Sequence, residues 1–192
     1  MRNLKLFFLA IIAVPLLTGC GYNQMVELEE NIDAQWSQVE NVYQRRADLI
    51  PNLVNTVKGY AEHEQETLQA VVEARSKATG INLSADQLNE QTLQNFQKAQ
   101  EGLSSALSRL MVVVERYPDL KANQNFRDLQ AQLEGTENRI AVERRKFNEA
   151  TRAYNTYIRK FPQNIMAGIF NFEPRPYFEA EEGASEVPEV QF

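Results

Sequence analysis

Residues 45–75 read RRADLIPNLVNTVKGYAEHEQETLQAVVEAR, and the way this stretch divides decides the fold. Leu49, Ile50, Leu53, Val54, Val57, Ala61, Leu68, Val71 and Val72 lie at helical spacing, an apolar stripe interrupted around Tyr60, His63 and Glu64. Pro51 stands near its start. A proline inside a helix removes a backbone hydrogen bond and costs about 3 kcal/mol. Two readings are therefore open: one helix of more than fifty residues kinked at Pro51, or a turn just before it. Asp48 can cap a new helix and Pro51 suits its first turn. The reading adopted is a break, with one helix over Tyr22–Arg46 and the next from Asp48 to about Ala78.

Working outward, Met25, Leu28, Ile32, Trp36, Val39 and Tyr43 give the first helix its apolar face. Thr79-Gly80 ends the second helix, and Ser84 with Gln87 forms a capping box for the third. The third carries Leu88, Phe96, Ala99, Leu103, Ala106, Leu110, Val113 and Tyr117 in near-heptad, coiled-coil-like spacing, and stops at Pro118. A fourth starts between Asp119 and Asn125 and runs through Phe126, Leu133, Ile140, Phe147 and Tyr154 to Pro162. No strand pattern appears before residue 165. Long helices joined by short connections pack as antiparallel neighbours. The prediction is all-α: an antiparallel up-down four-helix bundle over residues 20–162, with an N-terminal lipoprotein signal (1–19) and an extended tail (163–192).

A chain of 192 residues is long enough for one domain with a real core. The net charge of −6 argues against nucleic acid, which needs a clustered basic surface. One Cys allows no internal disulfide, and one His leaves little scope for a metal site. No cofactor is implied.

Residues 1–19 have the layout of an export signal: Arg2 and Lys5, an apolar run from Leu6 to Leu17, then small residues. Twelve apolar residues are too few to span a bilayer, which needs about 20. The run ends in Leu17-Thr18-Gly19-Cys20, which resembles a bacterial lipobox, so Cys20 is the expected lipidation site, carrying palmitate-type acyl chains. Each buried methylene contributes about 0.8 kcal/mol, so two or three chains anchor stably. The competing reading is an uncleaved signal anchor with an incidental Cys. Cleavage removes Arg2 and Lys5 and takes the charge from −6 to −8. Gly21 in place of Asp resembles an outer-membrane address in a double-membraned host, on the periplasmic face; otherwise the location is the cell surface.

Folding the chain at turns near 47.5, 80.5 and 118.5 sets Trp36 level with Gly59, Gly102 and Gly135, which suggests close packing around the indole, although Gly135 could face outward. The same register sets Glu30, Asn31, His63, Glu64, Gln97, Lys98, Asn138 and Arg139 at one level. That predicts a polar layer with a Glu64–Arg139 ion pair, of the sort that fixes register more than it adds stability. Arg45, Arg46, Asp48 and Asn52 are expected to clasp the first turn, and Arg75 to bond carbonyls near the end of the second helix.

The motifs of the common catalytic classes are absent from the sequence. His63-Glu64 does not continue to a second His, a di-iron bundle needs two Glu-x-x-His motifs, and no glycine-flanked Ser elbow or phosphate loop is present. Glu62, Glu64 and Glu66 read as a solvated helix face.

RRADLIPNLV, VKGYAEHE and the Ala74-Arg75 pair resemble the signature of the LemA family of bacterial membrane-associated helical proteins. Tyr22-Asn23, ERYPDLKANQNF (115–126), LEGTENRI (133–140) and YFEAEEGASEVPEVQF (177–192) match in the same order. The resemblance covers essentially the whole mature chain. It implies a helical bundle at an envelope membrane acting as a non-catalytic scaffold or adaptor, with a TPM-domain membrane protein as a plausible partner. A cell-wall polymer-binding module and a hydrolase are the rivals; oligomeric state is not implied.

The apolar segment 165–172 has no helical period. It either caps the open end of the core or dips Ile169, Phe170 and Phe172 into lipid. The tail beyond Tyr177 is acidic, carrying Glu179, Glu181, Glu182, Glu186 and Glu189. Val187, Val190 and Phe192 could press it onto the bundle.

Overall fold

The computed structural model describes residues 2–179, with side chains from residue 21 onward. Cys20 as a side chain and the segment 180–192, with Val187, Val190 and Phe192, lie outside what is described. The described chain is all-helical: α1 (Arg2–Lys58), α2 (Gln65–Thr79), α3 (Glu90–Val114), α4 (Pro118–Ala122), α5 (Gln124–Arg159) and α6 (Gln163–Phe170), with a single 3-10 turn at Ala85–Gln87. No described helix is long and apolar enough to cross a membrane.

The expected break before Pro51 does not occur. α1 passes through it and ends at Lys58, so the turn falls at Gly59–Glu64 and Asp48 caps nothing. The reason lies on another helix. Pro51 has no N–H to give the carbonyl four residues back, which is that of Ala47. Arg75 Nε on α2 donates to that carbonyl at 2.8 Å, replacing the missing bond. Ile50, Leu53 and Val57 thereby stay on one buried stripe. Arg75 is thus bonded to α1, not to the end of its own helix. Replacing Arg75 by Ala is expected to cost about 1–3 kcal/mol by leaving the carbonyl unpaired. In a Pro51→Ala background the cost should shrink, because the restored N–H at position 51 takes over. Denaturant unfolding of the four proteins checks this; equal costs in both backgrounds would refute it.

Other local signals also move. Ser84 caps no helix; Asn89 and Thr92 form the capping box of α3, with Asn89 Oδ1 accepting from Thr92 N and Asn89 N donating to Thr92 Oγ1, both at 3.0 Å. Asn123 Oδ1 caps α5 at Phe126 N. Residues 163–170 form a helix after all, α6.

Partner residues across the helices fix the topology. Arg46 reaches Gln100 and Ser104 on α3 and Glu137 on α5, while Trp36 touches Phe96 and Phe147. α3 therefore runs parallel to α1, and α2 and α5 run antiparallel to it. In the far half, toward Lys58, the core contains Ile50, Leu53, Val57, Val71, Leu103, Leu110 and Phe126. α2 stops short of the near half. There the core of Met25, Ile32, Trp36, Phe96, Phe147 and Tyr154 is completed by extended chain, which contributes Leu83, Leu88 and Phe178.

The proposed glycine layer around Trp36 is absent. Gly59 sits in the turn after α1, and an added Cβ at Gly102 or Gly135 would meet open space. Moving the first turn from 47 to 61 shifts the register on which that layer depended. Trp36 is instead enclosed by rings: Phe96 and Phe147 edge-on at 5.3 and 5.8 Å, Phe178 stacked at 6.1 Å. Its Nε1–H donates to Leu83 O at 2.7 Å.

Candidate functional site

The polar groups predicted to share a level are dispersed by the same register change. Glu64 accepts from Tyr117 OH and pairs with Arg116, both at 3.0 Å, while Arg139 pairs with Glu143 on its own helix at 2.8 Å. The Glu64–Arg139 pair does not form. His63, Asn138, Asp48 and Asn52 are exposed; Asp48 accepts from Gln44, and the Asn52 carbonyl accepts from Thr56.

Arg46 is the most deeply buried of the predicted polar residues. Its side chain is buried where the two core clusters meet, with the residue only 1% exposed. One terminal nitrogen donates to Ser104 Oγ and Glu137 Oε1, each at 2.9 Å. The other donates to the Gln100 carbonyl at 3.3 Å and to Gln100 Oε1. Gln100 Nε2 donates onward to Ala78 O on α2, and the guanidinium lies 5.1 Å from the Tyr43 ring centre. One cation thus joins all four long helices.

The second constellation holds the tail. Asn148 and Asn155 stand two turns apart on α5, and each grips one backbone position of the extended segment 172–179 from both sides. Asn155 Nδ2 donates to Arg175 O at 2.8 Å, and Arg175 N donates to Asn155 Oδ1 at 2.9 Å. Asn148 repeats the pattern on Phe178 at 3.0 and 2.9 Å. Tyr154 OH donates to Glu173 O, and burial raises its pKa to about 12. Pro174 and Pro176 lack N–H groups and favour extended backbone, so this strap leaves few donors to satisfy. Arg175 closes it by pairing with Glu29 at 2.8 Å. Two Asn at heptad spacing beside the apolar stripe of α5 were the sequence signal for this grip.

Between the strap, the 3-10 turn and the start of α3 lies an open cleft of about 840 Å³, lined by Glu29, Asp86, Gln94, Glu173, Arg175 and Tyr177 among others. Beside it, burial raises the pKa of Asp33 above its ordinary value; Arg175 opposes this, and Glu29, Glu30 and Asp86 add to it. No group of three or more His, Cys, Asp or Glu able to hold a metal occurs among the described residues.

These features define an all-helical protein with a buried arginine node and a C-terminal strap that closes its core. The LemA family model matches residues 35–192, starting just before Trp36 and including the strap. The chain belongs to the LemA family. It is similar to the magnetosome protein MamQ 1 of Paramagnetospirillum magneticum, 30% identical over 94% of this chain and 72% of that protein. MamQ of Magnetospirillum gryphiswaldense is 29% identical over 96% and 74% of the two chains. Protein LemA of Metamycoplasma hominis is 25% identical over 92% and 78%.

Proposed function

We propose that this protein is a lipid-anchored, non-catalytic scaffold or adaptor of the cell envelope, acylated at Cys20, whose helical bundle binds a membrane or envelope protein. The observation that carries this reading is how directly the helical body follows position 20: α1 is already helical there, and Met25, five residues on, is fully buried. Acyl chains on Cys20 would therefore hold the body close to its membrane with no flexible linker between them. Four polar side chains of the interior, Arg46, Gln100, Asn148 and Asn155, spend hydrogen bonds on the chain's own groups, which supports a structural role for them. That relatives are named magnetosome proteins supports a role in an assembled structure.

Crosslinking and affinity purification from intact membranes, comparing the native protein with Cys20→Ala, tests the reading. Recovery of a discrete membrane protein only with the anchored form is the expected result. Recovery of cell-wall polymer instead would favour the second reading, a polymer-binding module. The polar cleft beside the strap, with Tyr177 exposed in its wall, is the observation on that side. A hydrolase has less support, since Arg175 already engages the Glu29 carboxylate in that cleft.

A further inference from the structure

We propose that α6 is a second, direct membrane contact, with Phe161 in the turn before it and its own exposed Ile165, Ile169 and Phe170 lying in the headgroup layer of the bilayer that holds Cys20. This inference rests on the anchored reading above. These four side chains are 81%, 54%, 68% and 49% exposed. Ile165 and Ile169 are four residues apart on one side of α6, and Phe161 is exposed in the turn just before it. The opposite side covers the near end of the core, where Ala167 is buried and Met166 packs partly. Capping the core therefore accounts for one face of α6, while among the described residues Phe161, Ile165 and Ile169 stay mostly exposed on the other.

Position determines what covers that face. Tyr22, two residues after Cys20, packs its ring against Phe170 at 4.9 Å and Phe172 at 5.6 Å, which fixes α6 to the start of the mature chain. Met25 enters the core only five residues after Cys20. At 1.5 Å per residue those five residues span about 8 Å, with no flexible linker. The polar layer on each side of a bilayer core is about 5–7 Å thick. A chain acylated at Cys20 thus carries α6 into that layer. Exposed Arg159 and Lys160 directly precede Phe161, where long cationic side chains can reach lipid phosphates while the aromatic ring enters. The apolar face of a helix at this interface buries about 5–10 Å into the boundary between headgroups and acyl chains. The contact would complement the acyl chains and set the tilt of the whole bundle.

The chain has a single cysteine, so once Cys20 is acylated an introduced cysteine is the only free thiol. Full-length lipoprotein carrying Ile169→Cys is nitroxide-labelled and reconstituted into vesicles of phosphatidylethanolamine and phosphatidylglycerol. Val112→Cys, on an exposed site near the far end of α3, serves as the aqueous reference. Flotation reports the anchor, and the ratio of oxygen to nickel-chelate accessibility reports depth. The expected result is a ratio several-fold higher at 169 than at 112, repeated with Ile165→Cys on the same face. Equal ratios at all three sites in protein that floats would overturn the α6 contact and leave the anchor standing. Failure to float would overturn the anchored reading and this inference with it.

Discussion

Replacing Arg46 by Ala is expected to destabilise the protein by about 3–5 kcal/mol, the range for a large buried truncation that also strands polar partners. The side chain fills the junction of the two core clusters, so its loss opens a cavity. It also removes the donor serving the buried Gln100 Oε1, one that serves Ser104 Oγ, and one of the donors on Gln100 O, which keeps Ser104 Oγ. Glu137 behaves differently. Its side chain is 43% exposed and can be rehydrated, so Glu137→Gln, which keeps an acceptor in place, should cost only about 1 kcal/mol. Arg46→Met keeps much of the volume and should fall between the two. Denaturant unfolding orders the three variants. A Glu137→Gln loss as large as that of Arg46→Ala would mean the ion pair, not the packing and the Gln100 bonds, dominates the node.

Phe178→Ala is the second large effect, with a different outcome. A buried Phe truncated to Ala costs about 3–5 kcal/mol where the surroundings cannot relax. Phe178 stacks on Trp36, meets Phe147 edge-on at 5.4 Å and lies under the Arg144 guanidinium at 4.9 Å. It sits, however, on an extended strap held mainly by Asn148, Asn155, Tyr154 and the Arg175–Glu29 pair. Releasing the strap is then easier than unfolding the helices, as expected for a segment that opens locally. Trp36 fluorescence should shift to the red and become accessible to acrylamide while helix content is largely kept. An unchanged Trp36 spectrum would show that Phe178 does not cover the indole.

The helices were largely legible in the sequence because their stripes are dense and locally periodic: Met25, Ile32, Trp36, Phe126, Phe147 and Tyr154 all face the core. Pro118 and Pro162 also stand at the helix boundaries. Pro51 was misleading because its compensation comes from Arg75, on another helix, and no local rule contains it. That single turn displaced the register, and with it the glycine layer and the Glu64–Arg139 pair. Arg46 drew notice as a turn residue, yet it lies at the crossing of four helices. The strap was hidden for another reason. Its prolines and alternating polar residues read as tail, and its order depends on asparagines far away on α5.

Residues 172–179 complete the near core and wall the cleft, so their order is the central feature of this fold. Amide hydrogen exchange at Phe178 in the native protein and in Asn148→Ala measures this directly. Protection at Phe178 comparable to neighbouring amides of α5, lost with Asn148→Ala while α5 stays protected, is the predicted result. Exchange at Phe178 as fast as in an unfolded chain, in the native protein, would contradict the account.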